Sequence, residues 1–305
     1  MPRSFYRSKP RVQFATLAIC LLSSFASALG ATYNIAQAGI SDHANAAASH
    51  SIAWHFQTYG AGNSYVLTSS GTNYNLNKTI TVPANSTFQG SNAAGIYTLM
   101  TSSGLDGSSM VVLGSGSTLQ YMTIDGNRYP SMLVNAVGTT GTSVRNCLIQ
   151  NSKNNFVGSG YTACVWPTSS TNFILDTCTL LNAGCNPKLN DTNNQAQGLG
   201  ILMWTATNAL IQHCVISNTL TCGIGMGGST GISIISNALA QTGLNRNALT
   251  GVQAGPIADG ISAYHNWVPW RQNFYIYGNT INGTGNHGIH VSGSQINIQN
   301  NAILN

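Results

Sequence analysis

Five stretches decide the fold of this chain: TSVRNCLIQN at 142–151, FILDTCTLLN at 173–182, ALIQHCVISN at 209–218, FYIYGNTING at 274–283 and INIQNNAILN at 296–305. Aligned, they put Cys147, Cys178, Cys214, Asn279 and Asn301 in one column, to which Asn237 also belongs, at spacings of 31, 36, 23, 42 and 22 residues. Three positions earlier stand Val144, Leu175, Ile211, Ile234, Ile276 and Ile298; two positions later stand Ile149, Leu180, Ile216, Leu239, Ile281 and Ile303. A strand's side chains alternate with a period of two, so these columns read as inward apolar ladders. Arg145, Asp176, Gln212, Tyr277 and Gln299 then face outward between them.

A second strand family precedes the first in each repeat, with Val165, Ile201, Ile224, Ile261 and Ile289 inward and mostly following glycine. A minimum repeat near 22 residues with two short strands and an Asn-rich turn describes a solenoid whose coils bury apolar surface only against their neighbours. The expected fold is all-β, a single parallel β-helix over residues 31–305. Excess length falls at 183–197, 241–258 and 264–273, which read as loops on a constant barrel.

Composition agrees. Charged residues are 6% of the 305 against 43% hydrophobic, which excludes a disordered chain. The six acids are all aspartates, so carboxylate chemistry must come from a short list. Arg3, Arg7, Lys9 and Arg11 precede an apolar stretch that ends in small residues, the pattern of a secretory signal peptide over residues 1–30. Its removal leaves seven cations against six acids, a charge near +1, so no polyanion-binding surface and no nucleic-acid partner is expected. No second stretch could span a bilayer, and the expected location is secreted, periplasmic or at the cell surface.

The repeats, together with YNLNKTITVPANSTFQG at 74–90, resemble the right-handed parallel β-helix proteins of the pectate-lyase-like superfamily. That superfamily includes pectate lyases, polygalacturonases, alginate lyases and epimerases, tailspikes and non-enzymatic surface proteins, so the resemblance implies a fold and leaves the reaction open. Asp259-Gly260-Ile261 and His287-Gly288-Ile289 are similar to two polygalacturonase motifs, with Ala258 and Asn286 replacing flanking residues. The paired-aspartate and Arg-Ile-Lys motifs of that family have no counterpart here.

By alternation the second strand family exposes Trp166, Leu202 and Trp204, Gly225 and Gly227, Ser262 and Tyr264, and His290 and Ser292. Sugar faces stack on aromatic rings, so this strip is the candidate polysaccharide groove; a satellite core under the 183–197 loop is the competing reading. Asp259 and His287 precede the glycine on successive coils and should lie about 5 Å apart at the backbone. The candidate catalytic set is Asp259, His287, His290 and Arg271, the last suited to clamp a uronate carboxylate. Trp166, Trp204, Tyr264, His265, Trp267, Trp270, Lys188 and Asp191 form the candidate substrate-binding set. A purely structural turn role for Asp259 competes with the catalytic one.

Asp176 should pair with Arg145 one coil away, and Asp106 and Asp125 read as turn residues. No aspartate pair recurs at calcium-binding spacing, so no metal site and no cofactor is expected. Six cysteines remain after the signal; Cys147, Cys178 and Cys214 could bridge or form an unbridged stack, and Cys164 could approach Cys185 or Cys222. The expected function is a carbohydrate-active protein that binds an acidic polysaccharide such as a pectin- or alginate-like polyuronate, with cleavage left open and, if it is active, of the lyase or glycoside hydrolase kind. The alternative is a non-enzymatic module adhering to glycans or proteins. The final Ile303-Leu304-Asn305 falls within a repeat, which suggests a truncated end or self-association at an open C-terminal coil.

Overall fold

The computed structural model describes residues 30–91, 96–153, 161–184, 197–243, 259–263 and 273–304. They wind into a single parallel β-helix whose coils stack three parallel sheets of ten, eight and nine strands. Successive coils contribute one strand to each sheet, so beyond the first pair, Thr32–Ile35 with Ser64–Leu67, strands pair with the equivalent strand of the next coil rather than with their sequence neighbour. The first sheet contains Ser143–Arg145, Ile174–Asp176 and Leu210–Gln212; the second contains Tyr161–Trp166, Gln197–Trp204, Ile224–Gly227, Ile261–Ala263 and Ile289–Val291; the third contains Leu148–Gln150, Thr179–Leu181 and Val215–Thr219.

The expectation of two strands per repeat is corrected to three. The chain bends sharply just before the Cys/Asn column, where Asn146, Thr177, His213, Ser236, Gly278 and Asn300 all have φ between +51° and +66°. That left-handed residue splits each ten-residue motif into two strands of different sheets. Both apolar columns still point inward. Val144, Leu175, Ile211, Ile234 and Ile276 share one register and are fully buried, as are Ile149, Leu180, Ile216 and Ile281. Ile298, in the last described coil, is 46% exposed because no further described coil covers it, and Ile303 and Leu304 are exposed beside it.

The corner column forms one continuous hydrogen-bonded ladder in two chemistries. Cys147, Cys178 and Cys214 place Sγ 3.6–3.9 Å from the carbonyls of Leu119, Val144 and Leu175 and 3.1–3.4 Å from those of Arg145, Asp176 and Gln212, so the single S–H proton is shared between the two. Asn237, Asn279 and Asn301 donate Nδ2–H to Ile211, Ile234 and Ile276 at 2.9–3.1 Å, the same position one coil back. The asparagines also accept: Asn237, Asn279 and Asn301 take the backbone N–H of Cys214, Asn237 and Asn279, each at 2.9 Å. A thiol sulfur, a weak acceptor, matches that second bond only poorly. Cys147, Cys178 and Cys214 form the unbridged stack.

At the N-terminal end a short helix, Ile52–Tyr59, packs on the first coils, with Ile52, His55 and Phe56 buried. Ser51 caps it by accepting the Trp54 N–H at 3.0 Å. Among the described residues no helix is long and apolar enough to cross a membrane. The proposed signal segment lies outside the described residues.

Candidate functional site

On the second sheet, Gly200, Gly223, Gly260 and Gly288 stack at the same corner of consecutive coils. A Cβ at Gly260 would lie 2.5 Å from the Gly288 carbonyl oxygen, and one at Gly223 would lie 2.7 Å from that of Gly260. Only glycine permits this approach, which explains why glycine precedes the inward isoleucines. The residues just before the glycines therefore stack too: Leu199, Cys222, Asp259 and His287. The register Ile224 to Ile261 to Ile289 carries this alignment through the last three coils.

Asp259 is fully buried, and its carboxylate is held on both oxygens. Oδ1 accepts the backbone N–H of His287 at 3.1 Å and faces His287 Nδ1 at 3.2 Å; Oδ2 faces His290 Nδ1 at 3.2 Å. His287 and His290 lie on the solvent side, with side chains 55% and 39% exposed and ring centroids 4.9 Å apart. If both rings are neutral, the contacts assign Nδ1–H as donor and make Nε2 the basic atom. Full burial removes Asp259 from direct contact with a large ligand, so the accessible acid–base atoms belong to the two histidines. A turn aspartate would have both oxygens on backbone amides; among the described residues only one backbone N–H, that of His287, reaches Asp259, and the other donors are imidazoles.

Asp259, His287 and His290 offer three ligand atoms that all lie within 4.8 Å of one another. These are three of the four residues expected as the catalytic set; the fourth, Arg271, lies outside the described residues. The signal was present in His287-Gly288-Ile289-His290, because the glycine corner turns both histidines toward the preceding coil.

Trp204 is 38% exposed on the same sheet and meets Tyr161 edge-on, with centroids 4.6 Å apart. Tyr161 was not among the candidates. Trp166 is half-buried, bonded through Nε1 to Thr168 Oγ1. Leu202, expected in the open strip, is instead buried with Ala163, Leu199 and Cys222 in an apolar cluster outside the barrel, against which Tyr161 and Trp166 pack. Leu202 thus belongs to a small apolar cluster while Trp204 stays exposed, and residues 185–196 of the loop expected to cover the tryptophans lie outside the described residues. Arg271, Tyr264, His265, Trp267, Trp270, Lys188 and Asp191 lie outside the described residues.

Asp176 stands beside Arg145 in register but makes its ion pair with His213, Nδ1 to Oδ1 at 3.2 Å, one coil further on. Asp106 pairs with Lys153 at 2.9 Å, and Asp125 forms its turn by accepting the Asn127 N–H at 2.8 Å.

No protein-family model matches the chain, and no curated protein sequence matches it. Solved structures do. The Dettilon tailspike protein aligns at 12% identity with a TM-score of 0.52, over 75% of this chain and 45% of its own. A mutant of the PL6 family alginate lyase AlyGC aligns at 11% identity with a TM-score of 0.50, over 90% of this chain and 40% of its own. An alginate lyase from Paenibacillus sp. aligns at 11% identity with a TM-score of 0.49, over 89% of this chain and 99% of its own. The chain thus has the right-handed parallel β-helix fold seen in polysaccharide lyases and phage tailspikes.

Proposed function

We propose that the protein is exported, binds an acidic polysaccharide along the outer face of the second sheet, and cleaves it by β-elimination at the Asp259–His287–His290 corner. The observation that carries this reading is a buried carboxylate contacting the Nδ1 atoms of two solvent-facing histidines. Such a carboxylate fixes the imidazole tautomer and stabilises the cation formed on proton uptake. One histidine removes the proton next to a uronate carboxyl group, the glycosidic C–O bond breaks, and the other histidine protonates the departing oxygen. An inverting hydrolase needs two carboxyl groups on opposite sides of the bond, about 6.5–9.5 Å apart. Asp259 is the only carboxylate at this corner among the described residues, which supports elimination over hydrolysis. Trp204, three coils below His290, and Tyr161, four coils below, supply apolar surface for sugar rings.

The full burial of Asp259 favours a second reading, a glycan-binding module without turnover. One assay separates the two. Incubation with polygalacturonate and alginate, followed by ultraviolet absorbance of unsaturated ends and by reducing-end counts, should show both signals rising together. His287→Ala and His290→Ala should each lower the rate by roughly 100-fold or more. Reducing ends without absorbance would mean hydrolysis. Retention of glycan with neither signal would leave the binding module.

A further inference from the structure

We infer that Asp259, His287 and His290 form a binding site for a divalent transition metal, Zn2+ before any other. The inference goes beyond the glycan reading and holds whether or not a polysaccharide is cleaved.

The donor set is the first argument. Two imidazole nitrogens and one carboxylate oxygen converge with every ligand atom within 4.8 Å of the others. Imidazole nitrogen selects for zinc and its neighbours among the transition metals, whereas calcium asks for an all-oxygen shell. A tetrahedral ion with ligands at about 2.0–2.1 Å separates those ligands by roughly 3.3 Å. Each Asp259–His contact is 3.2 Å, His287 to Oδ1 and His290 to Oδ2, so one carboxylate oxygen stands at ligand spacing from each ring. The Asp176–His213 pair has the same 3.2 Å separation, so distance alone does not mark a metal site. Convergence of two Nδ1 atoms on one carboxylate does, and the Asp176 pair lacks it.

Charge is the second argument. An ionised carboxylate with no solvent contact is costly unless positive charge compensates it. Among the described residues no lysine or arginine pairs with Asp259; the only ion-pair partners are the two histidines. A divalent cation between them would supply that charge.

The third argument is support and access. The His287 backbone N–H holds Oδ1 at 3.1 Å, the outer-shell bond that fixes a ligating carboxylate. Gly260 and Gly288 let the two coils close up beneath the cluster. The histidines are the exposed members, so a fourth position opens to solvent, as in three-ligand zinc sites that keep one place for water or substrate. The ion uses the same Nδ1 lone pairs that would otherwise carry protons. Loading therefore moves each ring proton to Nε2, and the proton-transfer role belongs to the metal-free protein.

The test uses full-length, tag-free protein stripped with a chelator and titrated with Zn2+ in a calorimeter. One equivalent should bind with micromolar or tighter affinity, and Ca2+ should give no heat. His287→Gln and His290→Gln should each weaken Zn2+ binding at least ~10-fold while the melting temperature without metal stays unchanged. His213→Gln should leave binding as it was. Zn2+ affinity that survives in the His287→Gln/His290→Gln double variant, or equal binding of Ca2+, overturns the assignment. Neither readout depends on turnover, so failure to cleave any glycan leaves it standing.

Discussion

Leu199 and Cys222 occupy the same backbone position as Asp259 and His287, one residue before the same glycine column on the same sheet, yet the two halves of this column do opposite work. In the lower half Leu199 and Cys222 close up with Ala163 and Leu202 into an apolar cluster outside the barrel. Burial, with the nearby Asp259 carboxylate adding to it, pushes the Cys222 thiol well up, so it stays protonated and unreactive. In the upper half a buried carboxylate lies under two solvent-facing histidines. A β-helix sets where a rung's outward side chain stands; the chemistry of that side chain decides whether the place becomes core or site.

The largest effect should come from forcing the lower half to resemble the upper. Leu202 is buried among apolar neighbours with no cationic partner described, so Leu202→Asp should cost about 3–5 kcal/mol in urea denaturation. His290→Leu, which removes one of the two imidazoles meeting the buried Asp259 carboxylate, should cost about 1–3 kcal/mol, less than Leu202→Asp. Equal costs would mean that the two halves are packed alike.

The next test asks what a buried histidine does without a carboxylate. His43 is fully buried, and among the described residues neither ring nitrogen has a hydrogen bond of good geometry, the Gln37 backbone being its nearest polar neighbour. Burial pushes its pKa down to about 4, opposed in part by the Gln37 backbone and the Asp42 charge. His55 is lowered in the same direction, first by burial. A histidine depressed in the folded state binds its proton more readily in the unfolded chain, so stability is full above about pH 6.5 and falls as pH drops toward 4. The loss for His43 is at most about 3 kcal/mol. His43→Phe should flatten the stability profile between pH 6.5 and 4.

Much of the fold was legible because a solenoid writes its register into the sequence. The inward columns of Val144 and Ile149 and the stacking of Asp259 over His287 follow from spacing alone. The third strand of each coil was not legible, because Thr177, His213 and Ser236 adopt left-handed backbone with residues that do not announce it. Outward alternation also failed at Leu202, since spacing says which way a side chain points and nothing about what covers it. The convergence of His287 and His290 on one carboxylate needed the glycine corner in three dimensions: consecutive backbone bonds, Gly260 N–H to the His287 carbonyl and Ile261 N–H to that of Gly288, both advance along the partner coil.

The upper half can also be made to resemble the lower. Asp259→Leu removes a buried charge, which by itself is neutral or favourable, but it orphans the His287 backbone N–H that Oδ1 accepts at 3.1 Å. The expected net cost is about 1–2 kcal/mol, and Asp259→Asn, which keeps an acceptor oxygen, should cost less. A loss well above the Leu202→Asp value would make Asp259 a structural keystone and weaken its assignment as a positioning group.

The smallest effect belongs to the other aspartate–histidine pair, Asp176 with His213 on the first sheet, where one histidine meets a carboxylate that is partly open to water. Burial pushes the Asp176 carboxyl up, but hydrogen bonds from His213, Thr177 and Gln212 outweigh it and hold it below the usual 3.8. A depressed acid stabilises the fold above its unfolded pKa, and that stability is lost as pH falls below about 3.8. Solvent screening limits the pair to a few tenths of a kcal/mol. His213→Ala should therefore shift the melting temperature at pH 7 by no more than about 2 °C and should not alter glycan or metal binding. A larger shift would show that one exposed histidine suffices to anchor a carboxylate in this fold, and the pairing of two at Asp259 would then need no functional explanation.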